Sequence, residues 1–318
     1  MIVYILRRLL HGVVVVFIVS VMVFVLLHFL PGGLVRAQLG LGAKAYQVHN
    51  LEVQEGLLKP LPVQYGIWAW HALQGNLGFS YKLNSPVGTL LGRYLPRTLL
   101  LVGTSTVMAL ALAVPLGLLQ GLRRNKVDDH LISAFMLICY AMPDFLLGTI
   151  GIVLLSIDLP AFPSTATSFG TSLGTDVADL ILPVGTLFLG TVAYFSRYMR
   201  SSVIDNLLED YVRTAYARGH STWGVLMRHV FRNSLLSVMT LIGLSLPYVF
   251  SGALIVETLF NFPGIGLLFY DSSQTRDFPT LLGVLLVVTV AVVVGSLLAD
   301  VGYALLDPRI RLDEGAPT

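Results

Sequence analysis

The chain has 318 residues, of which 55% are hydrophobic and only 12% are charged, and its formal net charge is +2. A soluble protein of this length carries about twice that charged fraction and could not cover this much apolar surface, so the composition excludes an ordinary soluble domain and indicates a membrane protein. The small net charge argues against a general attraction to nucleic acid.

Six apolar stretches have the length of about 20 residues that a helix needs to cross a bilayer, or come close to it. We expect the first to be a retained span, because its apolar run is longer than a signal-peptide core and no small-residue cleavage site follows it. The sequence therefore predicts an all-α polytopic membrane protein with six transmembrane helices, at Leu9–Leu30, Thr98–Leu119, Leu131–Ile157, Leu180–Ser196, Ser234–Val256 and Thr280–Ala299.

These spans divide the chain into segments. Residues 1–30 hold a short tail and the first span, 31–97 form an external segment, 98–306 form a five-span core, and 307–318 form a tail. The spacing of Tyr65, Trp68, Ala69 and Leu73 predicts a short amphipathic helix in the external segment.

Lysine and arginine in the loops predict the orientation, because positive residues accumulate in short cytoplasmic loops. With the N-terminus inside, the inner segments hold thirteen basic residues, whereas the two short outer loops hold only Arg276. We therefore expect both termini, and the loop 197–233, to be cytoplasmic.

Four of the predicted spans contain a proline, and one of them also contains an acidic residue. Pro115, Pro143, Pro183 and Pro247 lie in the second to fifth spans, and Asp144 follows Pro143 in the middle of the third. Proline kinks a helix, either for packing alone or in a helix that lines a transport pathway. Pro143, Asp144, Pro183 and Pro247 are therefore candidates for pathway or gating residues, and an ion-coupling role for Asp144 stays as the alternative.

Catalytic and metal-binding patterns are weak. The seven histidines never stand three or four residues apart, and Cys139 is a lone cysteine in an apolar run. Ser172 lies in a Gly-x-Ser-x-Gly match, but that match falls in a small polar loop rather than between a strand and a helix. The chain has no Gly-Lys dipeptide, hence no phosphate-binding loop of the Walker A type, so any ATP must bind to another polypeptide.

The inner loop 197–233 is rich in arginine and aromatic residues. Acidic residues precede a helix-prone stretch, Tyr211–Arg218, and the position of Gly219 predicts a helix C-cap. Ser221 or Thr222 can then cap a helix that continues into the fifth span. Ala215 and Gly219 stand four residues apart, so we expect them to form one smooth face that another backbone can approach.

This loop resembles a known signature. The stretches DYVRTAYARG at 210–219 and RHVFRNSLL at 228–236 are similar to the EAA region of ABC importer membrane subunits, in the form found in the dipeptide/oligopeptide/nickel branch. Of the general signature, only Ala215 and Gly219 are kept, with Arg213 and Thr214 in the places of Glu and Ala. Further matches occur in the same order along the chain: YILRR at 4–8, LPVQY at 61–65, GNLGFS at 75–80, VETLF at 256–260, RDFP at 276–279 and YALLDPRIR at 303–311.

The resemblance implies a type I ABC importer permease fold in a prokaryotic inner membrane. It also implies a homologous permease partner, two ATPase subunits that hold ATP and Mg, and an external substrate-binding protein, while this chain binds no cofactor and catalyses no reaction. Peptides are the expected substrates, with nickel chelates or other small solutes as the alternative and a stand-alone ion-coupled transporter as a remote one. The helix before Gly219 would be the coupling helix that contacts an ATPase, through Tyr211, Val212, Arg213, Thr214, Ala215, Tyr216, Ala217, Arg218, Gly219, His220 and Ser221.

Overall fold

The computed structural model describes residues 2–29, 44–54, 56–166 and 169–306. The predicted tail 307–318 lies outside the described residues, as does the start of the external segment. These residues are mainly helical, and the one small sheet among them pairs β1, Phe79–Ser80, antiparallel with β2, Ser85–Pro86. The helices in chain order are α1 Ile2–His28, α2 Ala45–Gln54, α3 Leu61–Leu73, α4 Val87–Leu122, α5 Val127–Ala141, α6 Asp144–Ile152, α7 Leu173–Leu208, α8 Asp210–Ala217, α9 Thr222–Val225, α10 Arg232–Leu259, α11 Ile265–Thr275 and α12 Phe278–Leu306.

Within the described residues, four helices are long and apolar enough to cross a membrane, and six spans result if each of two bent helix pairs counts as one. The four are α1, α4, α7 and α12. The pairs are α5 with α6, and the two halves of the stretch Thr222–Leu259. All six predicted spans therefore have a counterpart, and the six-helix prediction is confirmed in that sense.

The third span is not the single helix that the sequence predicts. α5 and α6 meet at an angle of 102° across Met142 and Pro143. Met142 is extended, with φ −82° and ψ 130°, because a residue before proline avoids the helical region and Pro143 has no N–H to continue the helix. A π-helical segment, Val153–Asp158, extends α6.

The fourth span is also longer than predicted, since α7 is one helix of 36 residues that continues to Leu208 with Pro183 inside it. Pro247 lies inside α10, where the two halves of the fifth span bend by 61° between Ser245 and Phe250. All four predicted proline positions therefore lie at a bend or within a long spanning helix, since Pro115 lies inside α4.

The helices form two compact units, whose division falls inside α4 and α12. The first unit contains Leu100–Phe262 and the described residues from Gly295 onward. In it, α7 packs against α5, α6 and α10. Its larger apolar core joins α7 residues such as Phe195 and Met199 to Val212 and Ala215 of α8 and Val225 of α9.

The second unit contains Ile2–Leu99 and Pro263–Val294. Phe24 of α1 packs against Tyr65 and Trp68 of α3, with ring centroids 5.6 and 5.9 Å apart, which confirms the predicted helix and this part of its apolar face. Leu73, predicted on the same face, is instead 83% exposed. At the start of α12, the buried carboxylate of Asp277 accepts hydrogen bonds from the hydroxyls of Ser80 and Thr280, the latter over 2.8 Å. A cavity of about 410 Å³ lies between α1, α3 and the hairpin.

Candidate functional site

The predicted coupling helix is present as α8, and its ends are formed as the sequence predicts. Glu209 is extended and starts the helix, which runs from Asp210 to Ala217. Gly219 has φ +80° and leaves the helix in the left-handed conformation that favours glycine. The His220 N–H donates to the carbonyl oxygen of Ala215 over 3.3 Å, the bond that closes a helix ending of the Schellman type.

The next helix begins with the predicted serine cap. The Ser221 hydroxyl accepts a hydrogen bond from the Gly224 N–H over 3.2 Å. After one α-helical turn, the π-helical segment Leu226–Phe231 leads directly into α10. Cap, turn and spanning helix are thus continuous, so that α8 is followed by a short bend and then by the fifth span.

One face of α8 packs into its own bundle. Val212 is 2% and Ala215 is 5% exposed, and both lie in the apolar core with Val225 and Val230. The expectation that Ala215 and Gly219 share an open face is therefore wrong for Ala215. Its small side chain is needed by the packing of this chain, because helix spacing turns position 215 toward the core together with position 212.

The opposite face of α8 is open. The Arg213 side chain is 74% exposed and lies 3.6 Å from the Asp210 carboxylate, and Tyr216 is 43% exposed. Beyond the glycine, Trp223 is 67% exposed. The remaining open members of the predicted set are Thr214, Ala217, Arg218, Gly219, His220 and Ser221. Exposed arginine and aromatic side chains are the types that carry most binding energy in protein interfaces.

Polar contacts tie α8 to the two neighbouring spans. The Tyr211 hydroxyl donates to the side-chain oxygen of Asn206 at the end of α7. The Asn206 amide nitrogen in turn donates to the Ser202 carbonyl oxygen over 2.8 Å and to the Ser234 hydroxyl of α10 over 3.3 Å. Sequence reasoning missed Asn206 and Ser234, because no local pattern indicates that they meet.

An ion pair that the sequence did not predict joins α5 to α7. Arg200 donates from Nε and from one terminal nitrogen to the two carboxylate oxygens of Asp129, over 2.7 Å each. Asp129 is 1% exposed, and it also accepts from the Asn125 N–H over 3.0 Å and from the Ser133 hydroxyl over 3.3 Å. A two-pronged pair of this kind fixes both distance and orientation.

The structure places the four pathway candidates in three different helices or their junctions. Pro143 and Asp144 form the break before α6, Pro183 is buried in α7, and Pro247 is exposed in α10. Asp144 lies against α7 and α10, because a Cβ at Gly190 would stand 3.3 Å and one at Gly252 2.7 Å from its carboxylate oxygens. The break thus brings Asp144 to the junction of three helices, whereas Pro143 points to the outside of this chain.

In the part of the chain that the structure describes, no group of three or more His, Cys, Asp or Glu side chains is placed to bind a metal ion. The Gly-x-Ser-x-Gly match does not form a nucleophile elbow, because Ser172 is the N-cap of α7 and its hydroxyl accepts from the Thr175 N–H. Cys139 is buried and free.

Comparisons with known proteins agree with this architecture along the whole chain. Residues 113–312 match the family model described as "Binding-protein-dependent transport system inner membrane component", and residues 1–102 match the model for the N-terminal part of such membrane components.

Individual relatives align over almost their full length. The chain is 37% identical over 317 residues to a putative peptide permease protein of Brucella ovis and to the oligopeptide transport system permease protein AppB of Bacillus subtilis, in each case with 97% of this chain and 99% of the relative covered. It is 35% identical to the glutathione transport system permease protein GsiC of Escherichia coli, with 97% and 98% covered. Among solved structures, the inward-facing MetNI methionine ABC transporter has a similar fold, with a TM-score of 0.54 and 16% identity over 69% of this chain and 96% of that chain.

Proposed function

Since the chain belongs to the family of binding-protein-dependent transport system inner membrane components, we propose that it is one of two permease subunits of an ATP-driven importer of peptides. Its partners are a homologous permease, two ATPase subunits that hold ATP and Mg, and an external substrate-binding protein. Peptides are favoured as substrates by the names of several relatives with 37% identity, and glutathione, a small peptide, belongs to the same class.

One observation carries the proposal for energy coupling, namely the two-sided character of α8. Its inner face is locked into the bundle by Val212 and Ala215, and its outer face offers Arg213 and Tyr216 to a second protein. A force on the outer face therefore reaches the spanning helices through close packing rather than through a flexible loop. The distribution of arginine and lysine supports a cytoplasmic position for this face and for both termini, on the side of the membrane where an ATPase would work.

The coupling role is tested by reversing the charge of Arg213 in the complete importer. Arg213→Glu should leave the amount of importer in the membrane unchanged, because the side chain is 74% exposed. Loss of an interface arginine and of its charge complementarity costs about 2 kcal/mol or more of docking energy. We expect peptide uptake into liposomes to fall at least about ten-fold, while the ATPase subunits retain ATP hydrolysis.

Arg124→Glu is the matched control. It makes the same charge change at an exposed position of another predicted inner loop, and it should leave uptake close to the wild-type rate. Equal uptake by Arg213→Glu and wild type would contradict the coupling role of α8. Equal losses from both variants would show that the positive charge of the inner surface matters, rather than this helix.

A further inference from the structure

The carboxylate of Asp144 lies in a shallow groove whose floor is backbone. A Cβ on Gly252 of α10 would come 2.7 Å from Oδ2, and one on Gly190 of α7 would come 3.3 Å from Oδ1. Side chains at either position would therefore push the carboxylate away. The groove exists because the chain breaks before α6 and because both facing helices carry glycine at the same level.

Among the residues that the structure describes, no cationic side chain forms an ion pair with this carboxylate. Across the described ranges, Asp144 takes part in no hydrogen bond or ion pair from its side chain. Asp129, which is buried where Asp144 is only half-buried, differs in this respect, since its carboxylate accepts two hydrogen bonds from Arg200 and two from other donors. A carboxylate within a spanning segment is costly unless it meets water, a cation or the positive end of a helix. Asp144 lies in the first turn of α6, whose N-terminal N–H groups offset part of this cost. Its two oxygens have no further partner among the described residues, so the groove can accept a cation from outside the chain.

Next to this groove, α7 and the end of α5 together carry a row of aromatic side chains. Tyr194 stands one helical turn after Gly190, and its ring lies 4.9 Å from that of Tyr198 and 6.4 Å from that of Tyr140, which is stacked on it at 23°. Tyr140 is 47% and Tyr198 is 46% exposed on this chain. Arg197 completes the row, with its guanidinium carbon 4.5 Å from the centre of the Tyr140 ring.

The row has the chemistry of a passage for a charged solute. Hydroxyls, a guanidinium and a carboxylate on adjoining surfaces of spanning helices suit a water-filled passage and not hydrocarbon. Tyrosine faces attract ammonium groups. The rise of a helix puts Arg197 about 10 Å along α7 from Gly190, so a negative group and a positive group are separated by a distance that the two ends of a short peptide can span.

We propose that Asp144, in its groove between Gly190 and Gly252, binds the ammonium group of the solute as it passes through the permease. The inference rests on the proposed function as a peptide importer, and it makes Asp144 a residue that selects solutes with a free amino terminus. The tyrosine row guides the remainder of the solute toward Arg197, which faces its carboxylate end.

The test compares two probes, trialanine and N-acetyl-trialanine, in the complete importer reconstituted with its partner permease, ATPases and binding protein. Each probe is supplied at a concentration that saturates the binding protein, so that the ratio of the two uptake rates reports on the permease. We expect Asp144→Asn to lower uptake of trialanine about ten-fold, the effect of losing a charged hydrogen bond, and to leave uptake of the acetylated probe within about two-fold.

Glycine variants test the groove without changing the charge. Gly252→Ala places a Cβ 2.7 Å from the carboxylate and should lower trialanine uptake in the same direction, whereas Gly185→Ala on α7 adds a Cβ with no neighbouring atom within 4 Å and should not. Asp158→Asn, at an exposed aspartate of the same bent helix pair, is the control for loss of a carboxylate.

The outcomes separate the two levels of the proposal. An Asp144→Asn importer that keeps the wild-type ratio of the two probes overturns the ammonium site and leaves peptide import standing. An equal loss for both probes also overturns the site, since it assigns Asp144 a structural role only. A wild-type importer that hydrolyses ATP but takes up neither peptide overturns the proposed function, and the ammonium site with it.

Discussion

The buried pair of Asp129 and Arg200 should contribute strongly to the stability of the first unit, and Asp129→Asn is the change that tests this. The substitution keeps the shape of the side chain but removes its charge. It also replaces one acceptor oxygen by an NH₂ group, which then faces one of the hydrogen-bond donors of the native structure. Those donors are two nitrogens of Arg200, the Asn125 N–H and the Ser133 hydroxyl. At least one of them must lose its acceptor.

The size of the effect follows from the burial of the pair. The Asp129 side chain is fully inaccessible, and that of Arg200 is 28% exposed. Breaking a buried pair by removing one partner costs about 3–5 kcal/mol, and the partial exposure of Arg200 puts the expected loss in the free energy of unfolding at about 3 kcal/mol. The side chains of the neighbouring pair of Arg123 and Asp128 are exposed by 56% and 34%, so Asp128→Asn should lower the free energy of unfolding much less.

The chain contains its own reporter for this measurement. Cys139 is the single cysteine, it is 5% exposed, and it lies on the same helix as Asp129. A maleimide that fluoresces on reaction with a thiol will label it only as the bundle opens. In purified importer whose partner chains have been freed of cysteine, we expect the midpoint of labelling on heating to fall by about 5–10 °C for Asp129→Asn and by about 1 °C for Asp128→Asn.

Equal midpoints for the two variants would refute the reasoning, because they would show that burial and two-pronged geometry add nothing to the pair. A midpoint for Asp129→Asn above that of the wild type would refute it more strongly, since the cost of burying the charges would then exceed their attraction.

Two further changes test close packing and capping. Gly117→Ala on α4 places a new Cβ 2.6 Å from Cβ of Met199 and 2.7 Å from the Ser196 carbonyl oxygen. This overpacking should lower the free energy of unfolding of the unit by about 1–3 kcal/mol. The control is Gly103→Ala on the same helix, whose new Cβ meets no atom within 4 Å and which should have the wild-type midpoint in the same thiol assay. Ser221→Ala removes the acceptor for the Gly224 N–H and should lower the local stability of the start of α9 by about 1 kcal/mol. We expect roughly five-fold faster amide hydrogen exchange there, and unchanged exchange would contradict the capping role.

Local chemistry was readable from the sequence. The helix before Gly219 and the serine cap after it depend on neighbouring residues only, because a left-handed glycine and a capping hydroxyl act within one turn. The six spans could be predicted for a similar reason, since the length of an apolar run is a local quantity. Both predictions are confirmed, apart from the break within the third span and the length of the fourth.

Features that depend on packing were not readable. Asp129 and Arg200 stand 71 residues apart, so no spacing indicates their pairing. The inward orientation of Ala215 depends on where Val225 and Val230 lie in the core. The end of the fourth span was misplaced because the polar residues after Ser196 resemble a loop, whereas their helix continues in the structure to Leu208.

The helix α7 joins the two sites on which the proposals rest. Gly190 forms part of the Asp144 groove, and Asn206 near the other end holds the Tyr211 hydroxyl of α8. Between Gly190 and Leu208 the helix has no proline and rises about 27 Å. Near the middle of this stretch, the ion pair of Arg200 with Asp129 joins it to α5. A displacement of α8 by an ATPase should therefore move the floor of the groove as part of one rigid body. The other half of the groove floor, at Gly252, belongs to α10, whose Ser234 also accepts a hydrogen bond from Asn206. We therefore expect α7 and α10 to move together relative to α6. That relative motion would release a solute held at Asp144.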